Sequence, residues 1–221
     1  MNAPSIIPRP LTTEMLLYAY TIGLFPMARS RQNPRLYWID PEQRGILPLD
    51  AFHVSRSLRK VLKKEPFTIR CDTAFAEVME GCAQRASATW INGEIMRLYG
   101  DLFHLGHAHS VETWREGHLV GGLYGVAIGA AFFGESMFSR ETDSSKVALC
   151  HLVARLQVAG YRLFDTQFLT PHLTHFGAVE ISRSAYLHRL AEALAYQARP
   201  FGSALPAPVS ELLRHSSSQR S

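Results

Sequence analysis

The sequence has only three cysteines, and no two of them form a C-x-x-C pair. A disulfide framework and a zinc site built from paired cysteines are therefore not indicated. Three glycine-containing signatures are also missing, namely G-x-x-x-x-G-K, G-x-G-x-x-G and G-x-S-x-G. Nucleotide hydrolysis, dinucleotide binding and a serine-hydrolase nucleophile elbow lose support with them.

Long hydrophobic runs are absent as well. The first eleven residues, MNAPSIIPRPL, lack the apolar core of a signal peptide. Residues 119–134 carry no charge, but this stretch is too short for a membrane-spanning helix and is rich in glycine. The sequence therefore predicts a cytoplasmic protein without a membrane segment.

The composition is that of a globular protein, with 47% hydrophobic and 19% charged residues among 221. The net charge of +4 is mild, but its distribution is uneven. Residues 1–70 hold eleven Lys or Arg and five Asp or Glu, so the basic excess lies at the N-terminal end. A basic end on a near-neutral body suits a polyanion such as a nucleic acid.

One predicted helix carries much of this basic charge. In His53–Lys64, the cations Arg56, Arg59, Lys60 and Lys63 are spaced so that they form one stripe along the helix. A solvated face that binds nothing is the alternative. The charge excess of this part of the chain favours phosphate binding by the stripe.

From Phe67 onward, the periodicity predicts a strand, two helices, three strands, a helix, a strand and a helix. This order is typical of a mixed α/β (α+β) core, in which an antiparallel meander is followed by a crossover helix. The segment from Arg199 is rich in Pro, Ser and Ala and is predicted to be a flexible tail.

Two places in this core offer chemistry. Glu135 follows sixteen uncharged residues. Burying a carboxylate on a core strand costs free energy, so such a carboxylate usually has a functional role. Asp165 and Gln167 stand at the end of the strand after the crossover helix, where open α/β sheets bind ligands. Strand alternation would point both side chains the same way. A purely structural Asp–Gln hydrogen bond is the alternative.

A cluster of histidines, His104, His107 and His109, could suggest a metal site. These residues straddle a predicted helix end and a strand start, and no cysteine lies close in sequence. A structural role is favoured, and no metal is predicted.

Several short motifs occur in an order that resembles one enzyme family. They are LFPM, HAHSVETWRE, GGLYGV, GESMFSR, FDTQ and EISR, spread from about Thr13 to Leu190. Together they resemble the bacterial leucyl/phenylalanyl-tRNA–protein transferases. The resemblance implies a small N-terminal domain (1–65), a catalytic domain of acetyltransferase-like (GNAT) fold (66–198) and the tail (199–221). It also implies a fold shared with the aminoacyl-tRNA-using enzymes that build peptidoglycan bridges.

The family's activity then becomes the expectation for this chain. Its members move Leu or Phe, and less readily Met, from aminoacyl-tRNA to the N-terminal amino group of a protein beginning with Arg or Lys. The product is marked for degradation. The resemblance implies no cofactor, and a monomer is the simplest expectation.

The resemblance also assigns roles to individual residues. Asp165 and Gln167 match the family's catalytic pair, and Glu135 matches its essential acidic residue. The residues that match a pocket for the donor side chain are Leu123, Phe132, Met137, Leu149 and Phe164. Trp90 matches an aromatic residue that packs on the terminal adenosine. Met27 and Leu152 depart from the pattern, since Met27 stands where Trp is common and Leu152 replaces an aromatic residue.

The implied mechanism is aminolysis of an ester. We expect Asp165 to orient and polarise the amide of Gln167, whose oxygen receives the proton of the attacking amine. Glu135 is expected to hold a cationic amino group, either that of the acceptor or that of the donor. Three alternatives remain: another amine acceptor, a non-catalytic tRNA-binding module, and a coenzyme-A acyltransferase. The last is disfavoured because no glycine-rich pyrophosphate loop precedes the crossover helix.

Overall fold

The computed structural model describes residues 11–84, 89–203 and 205–213 of the chain. The helices in these ranges are α1 (Thr13–Thr21), a 3-10 turn (Leu49–Ala51), α2 (Arg56–Lys64), α3 (Phe75–Ala83), α4 (Gly93–His104), α5 (Ser144–Ala159), α6 (Pro171–Thr174), α7 (Arg183–Leu194) and α8 (Val209–Leu212). The strands are β1 (Phe25–Ala28), β2 (Leu36–Ile39), β3 (Gln43–Ile46), β4 (Thr68–Cys71), β5 (Ala108–Arg115), β6 (His118–Ile128), β7 (Ala131–Ser139), β8 (Leu163–Gln167) and β9 (Val179–Ser182).

Seven of the strands form one sheet in the order β4-β5-β6-β7-β8-β3-β9. The meander β4 to β7 is antiparallel, as the sequence predicts. The crossover helix α5 then returns the chain so that β8 runs parallel to β7. β3 enters from the N-terminal part of the chain and pairs antiparallel with both β8 and β9. The end of β8 is therefore in the interior of the sheet.

Two apolar cores lie on the two faces of this sheet. On one face, buried side chains of α1, α3, α4 and α7 pack together. On the other face, α2, α5 and α8 form the second core. α5 is the longest helix at 16 residues, and no helix in the described part of the chain is long and apolar enough to cross a bilayer.

Several helix starts follow the predicted capping chemistry. The side chains of Thr12, Thr170 and Ser182 each accept a hydrogen bond from a backbone N–H in the first turn of α1, α6 and α7. Asp72 or Thr73 is the cap that the sequence predicts for α3, but no side chain in the described ranges caps this helix. The carboxylate of Glu112 on β5 instead accepts from the N–H groups of Thr73 and Ala74, which precede the first turn.

Two short strands differ from the sequence prediction. The sequence predicts a turn at residues 24–27, but Phe25–Ala28 pairs with β2 in a separate two-stranded sheet. Val179–Ser182, for which no strand is predicted, forms the edge strand β9 on β3. Residues 25–28 do not alternate, and the apolar–polar alternation of Val179–Ser182 is only four residues long. Their strand conformation depends on partners that only the folded chain brings near.

The segment after residue 198 also differs from the predicted flexible tail, as far as it is described. Phe201, Val209 and Leu213 are all buried, with 5% of their surface or less exposed. They belong to the second core. Residue 204 and residues 214–221 lie outside the described residues.

Candidate active site

The site lies where two neighbouring strands part. β7 and β8 pair only from Ala131–Leu163 to Phe133–Asp165. β7 then continues beside β6 to Ser139, whereas β8 ends at Gln167. A cavity of about 410 Å³ opens between the diverging ends. Its volume is in the range of sites that bind small molecules.

Most of the predicted pocket residues line this cavity. They are Met27, Trp90, Leu123, Met137, Leu149 and Phe164, joined by Leu152, which departs from the family pattern. Phe132 is not among the lining residues. It is fully buried, and its ring packs against the rings of Phe164 and Phe201 at 5.7 Å. Phe132 therefore supports the wall from behind instead of facing the cavity.

Glu135 reaches the cavity from an irregularity in β7. The register between β6 and β7 shifts at Tyr124 and Gly125, which pair with Ser136 and Gly134. Glu135 is thus the extra residue of a β-bulge, a feature that re-aims a side chain out of the regular alternation. Only 8% of its surface is exposed. The bulge explains how a core strand delivers one carboxylate to the cavity.

Three side chains donate hydrogen bonds to the Glu135 carboxylate. Oε1 accepts from the hydroxyl of Tyr20 at 2.6 Å and from Nε2 of Gln167 at 2.8 Å. Oε2 accepts from the hydroxyl of Tyr99 at 3.1 Å. The two tyrosine hydroxyls also contact each other. Burial and the nearby carboxylate raise the pKa of both tyrosines, so they remain protonated donors.

The electrostatic environment changes the titration of Glu135. Burial raises the pKa of its carboxyl to about 7, although the hydrogen bonds from Tyr20, Gln167 and Tyr99 act in the opposite direction. The negative charge of Asp165 adds to the increase. A group with this pKa exists in both protonation states near neutral pH, as a general base requires.

Gln167 holds its amide in place by an unusual backbone conformation. Its φ is +64°, in the left-handed region that non-glycine residues rarely adopt. Its backbone N–H donates to Oδ1 of Asp165 at 2.8 Å, and its side-chain Nε2 donates to Glu135. Among the described residues, none donates a hydrogen bond to Oε1 of Gln167.

Asp165 does not contact the side-chain amide of Gln167, contrary to the expectation. It is fully buried and forms an ion pair with Arg44 at 2.6 Å. The hydroxyl of Tyr186 donates to its Oδ2 at 2.7 Å. Asp165 is also absent from the residues that line the cavity. The carboxylate that polarises the amide is therefore Glu135.

The basic stripe lies on α2, with one exception. Arg56, Lys60 and Lys63 are exposed. Arg59 is half-buried instead, and its guanidinium donates to the carbonyl groups of Val54 and Leu213. The C-terminal segment thus engages Arg59, which leaves the other three cations as the solvent-facing stripe.

The side chains of the three histidines do not converge on one site. Nδ1 of His109 lies 2.8 Å from Oδ2 of Asp72, and its ring stacks on Phe201 at 4.4 Å between centroids. No group of three or more His, Cys, Asp or Glu residues in the described ranges is arranged to hold a metal ion.

Four residues of the site are missed at the level of sequence: Arg44, Tyr20, Tyr99 and Tyr186. The sequence predicts helices over about residues 13–23 and 92–105, which hold Tyr20 and Tyr99, and Tyr20 shares the apolar face of its helix with Leu16 and Ala19. A buried tyrosine hydroxyl needs a partner, so this placement could have suggested a buried acceptor. No local signal marks Arg44, because it contacts Asp165 across 121 residues of sequence.

Comparisons with known proteins give a consistent result. A family model described as leucyl/phenylalanyl-tRNA protein transferase matches residues 46–191. The model of that family's N-terminal domain matches residues 9–42. Both ranges contribute to the cavity, through Met27 from the first part of the chain and Glu135 and Gln167 from the second.

Two relatives are leucyl/phenylalanyl-tRNA–protein transferases. The protein from Paramagnetospirillum magneticum is 66% identical over 190 residues, which cover 85% of this chain and 91% of that protein. The protein from Rhodospirillum rubrum is 60% identical over 83% of this chain and 88% of that protein. Such identity over most of both chains extends the similarity well beyond the short motifs.

Among solved structures, FemX is similar with a TM-score of 0.52 and 12% sequence identity. The match covers 77% of this chain and 66% of FemX. At that identity the similarity concerns the fold alone, and it confirms the predicted mixed α/β, acetyltransferase-like fold. The predicted small N-terminal domain is supported by the family model that matches residues 9–42. The chain belongs to the leucyl/phenylalanyl-tRNA–protein transferase family, and its activity is the transfer of Leu or Phe from aminoacyl-tRNA to protein.

Proposed function

We propose that the acceptor of this transferase is the N-terminal α-amino group of a protein that begins with Arg or Lys. Met is proposed as a third and poorer donor residue. The transfer marks the acceptor protein for degradation in the cytoplasm. The observation that carries the proposal is the Glu135–Gln167 pair at the polar end of an otherwise largely apolar cavity. Such a site can hold an apolar side chain and an amine side by side.

The apolar wall suits the side chain of the donor amino acid. Leu123, Met137, Leu149 and Phe164 supply aliphatic, thioether and aromatic surface, and methionine adapts to ligands of different shape. Leu, Phe and Met share an unbranched Cβ, which allows the side chain to enter a narrow apolar space. We place Met27 and Trp90, which also line the cavity, against the terminal adenosine of the tRNA.

Glu135 would remove the proton that blocks the reaction. A protein α-amino group has a pKa of about 7.7 to 8.0 and arrives largely as an ammonium ion. Glu135, with its pKa raised to about 7, is suited to take one proton from it. Within the described residues, Tyr99 alone donates a hydrogen bond to its Oε2, which leaves that oxygen able to accept from the incoming ammonium group. Gln167 Oε1 would accept a hydrogen bond from the resulting amine and orient it.

The bond changes then balance without an added reactant. The amine nitrogen forms a bond with the aminoacyl carbonyl carbon, and the bond between that carbon and the ribose oxygen breaks. The second proton of the amine passes to the ribose oxygen, and the proton on Glu135 returns to solvent. Aminolysis of an ester is downhill, so fixing the two reactants in place can supply most of the acceleration.

A transfer assay tests this assignment. The protein is incubated with labelled Leu-tRNA and with peptides that differ only in an N-terminal Arg, Lys, Asp or Met. We expect label on the Arg and Lys peptides alone. Transfer only to the Asp peptide would replace the proposed acceptor class, and tRNA binding without any transfer would contradict the catalytic roles.

Donor selectivity gives a second prediction. Ile branches at Cβ, next to the ester, and should fit the cavity less well than Leu. We expect kcat/KM for Ile to be about 10-fold lower or more, the usual penalty for a misplaced methyl group in an apolar pocket. Both amino acids should be charged onto the same tRNA, so that only the side chain differs. Equal rates for Ile and Leu would show that the cavity does not discriminate against a side chain that branches at Cβ.

The exposed cations of α2 would bind the phosphates of the tRNA acceptor stem without reading bases. Replacing Arg56, Lys60 and Lys63 together with alanine should raise KM for aminoacyl-tRNA and leave kcat nearly unchanged. The slope of log KM against log salt concentration should flatten by about 1 for each phosphate that is no longer neutralised by a side chain. Steady-state kinetics at several salt concentrations measure both effects.

The matched control removes surface charge on the other face of the sheet. Arg183 and Arg189 are exposed on α7, which packs on the face opposite α2. Their replacement with alanine should leave the salt slope as in the wild type. If the α2 variant kept the wild-type slope, the tRNA site would have to lie elsewhere.

A further inference from the structure

We infer that Arg44 is a positioning residue for the transfer reaction. Through Asp165, it holds Gln167 in the backbone conformation that places its amide on Glu135. The inference rests on the proposed roles of Gln167 and Glu135 and extends them to a residue that does not touch the cavity.

Arg44 is buried and packed between neighbouring strands and aromatic rings. It lies on β3, in the interior of the sheet between β8 and β9, and only 1% of its surface is exposed. Its guanidinium is within 4.5 Å of the ring centroid of Phe25 and within 4.4 Å of that of Tyr186. A planar guanidinium suits this stacked setting, and a lysine ammonium does not reproduce it.

The guanidinium of Arg44 donates a hydrogen bond to each oxygen of the Asp165 carboxylate. Nε of Arg44 donates to Oδ1 at 2.9 Å, and Nη2 donates to Oδ2 at 2.6 Å. The hydroxyl of Tyr186 takes a further position on Oδ2, and the backbone N–H of Gln167 takes a further position on Oδ1. A carboxylate has about four acceptor positions. Asp165 is thus saturated by protein groups and has no position left for a substrate or a proton in transit.

Because its acceptor positions are all taken by protein groups, Asp165 can act on the reaction only by fixing the position of a neighbouring residue. Its Oδ1 fixes the N–H of Gln167, a residue whose left-handed φ of +64° is unfavourable for a side chain with a Cβ. β3 packs closely against the same segment. Gly45 pairs with Gln167, and a Cβ at Gly45 would come within 2.6 Å of the carbonyl carbon of Phe168. The strained turn is maintained by β3 and by the Arg44–Asp165 pair together.

A second contact links the same guanidinium to the helix that carries Tyr20, another hydrogen-bond donor to Glu135. Nη1 of Arg44 donates to the backbone carbonyl of Gly23 at 2.8 Å. Gly23 follows α1, the helix that carries Tyr20, and Tyr20 donates to Glu135. One guanidinium therefore connects the two groups that meet at Oε1 of Glu135, namely the amide of Gln167 and the hydroxyl of Tyr20.

A double-mutant cycle tests the inference. Arg44→Met should lower kcat about 10-fold to 10²-fold, as expected for a displaced reacting group, with little change in KM for Leu-tRNA. Arg44→Lys, which keeps the charge but not the bidentate geometry, should recover part of that loss. In a Gln167→Ala background, Arg44→Met should lower the residual kcat by less than about threefold, because Gln167 is already missing and only the contact with Gly23 is left to lose.

Thermal unfolding accompanies each measurement, because leaving Asp165 buried without its partner also destabilises the fold. If Arg44→Met does not give folded protein, the cycle is run with Arg44→Lys. Arg183→Met is the matched control, since it removes a guanidinium that is ion-paired with Asp40 at 2.8 Å on the surface. It should leave kcat unchanged.

Two results would overturn the inference: folded Arg44 variants with kcat within about twofold of the wild type, or equal factors of loss with and without Gln167. In either case, a wild type that transfers Leu and a Gln167→Ala variant that is impaired would leave the proposed function standing. Full activity of Gln167→Ala would instead contradict the proposed function itself.

Discussion

Replacing Gln167 with alanine is expected to lower kcat for leucyl transfer to an Arg-initiated peptide by about 10³-fold. The variant loses the oxygen that orients the attacking amine and the N–H that fixes one side of Glu135. The apolar wall of the cavity, which would grip the donor side chain, is untouched. KM for Leu-tRNA should therefore stay close to the wild-type value, and single-turnover kinetics at saturating donor measure the loss in the chemical step.

Gln84→Ala is the matched control for this substitution. Gln84 also donates its amide to a carboxylate, that of Glu80 at 3.1 Å, but the pair is exposed on the surface. Its removal should change neither kcat nor KM. Full activity of the Gln167 variant would reduce the buried pair to a structural hydrogen bond between strands.

Glu135→Gln should also lower kcat by about 10³-fold, and it should change how activity depends on pH. In the wild type, burial raises the pKa of Glu135 to about 7. The carboxyl is therefore neutral at pH 5 and ionised at pH 8. Only the ionised form can take a proton from the acceptor ammonium, so kcat should rise between about pH 6 and pH 8 and then level off.

The neutral amide in the variant has no such transition, so its residual kcat should be flat over the same range at saturating acceptor. The groups that face Glu135 are Tyr20, Tyr99, Gln167 and Asp165. Removing the donor of Tyr20 with Tyr20→Phe withdraws a contact that lowers the pKa of Glu135. The midpoint of the kcat profile should move to higher pH.

Glu80→Gln serves as the control for Glu135, because the pKa of this exposed carboxyl is lowered by Arg31 and Gln84, and it stays ionised throughout the range. Its pH profile should match that of the wild type. A rise in kcat that persists in Glu135→Gln would assign the titration to the acceptor amine and remove Glu135 as the proton acceptor.

The local pattern of the sequence predicts most of the fold. Apolar periodicity predicts helices over about residues 92–105, 144–160 and 182–196 and strands over 110–115, 119–129 and 130–138, within a few residues of the observed α4, α5, α7 and β5 to β7. These elements are long enough for their own pattern to outweigh tertiary effects. β1 and β9, with four residues each, are too short for that. The domain boundary at residue 65 stays a prediction, and β3, which precedes it, lies inside the seven-stranded sheet.

The sequence predicts the two polar residues Glu135 and Gln167 of the candidate site, but not their contacts. Glu135 stands out as a charge at the end of an apolar stretch, and Gln167 stands at the end of a strand after a crossover helix. Regular alternation pairs Gln167 with Asp165, because both would face the same way on an ideal strand. The bulge at Glu135 and the positive φ of Gln167 break that alternation. A one-residue irregularity re-aims a side chain, and it leaves no periodic trace in the sequence.

The sequence, through its periodicity and its family motifs, determined the class of fold, most of the apolar wall of the cavity, and Glu135 and Gln167 as two of the polar residues that line it. Only the tertiary structure decided which carboxylate meets the amide of Gln167. It also placed Arg44, from a strand 121 residues earlier, on Asp165. The physical reason is that hydrophobic periodicity is local, whereas a buried charge must find its partner anywhere in the folded chain. Burial then set the pKa of Glu135 near neutrality, a property of its surroundings and not of the residue type.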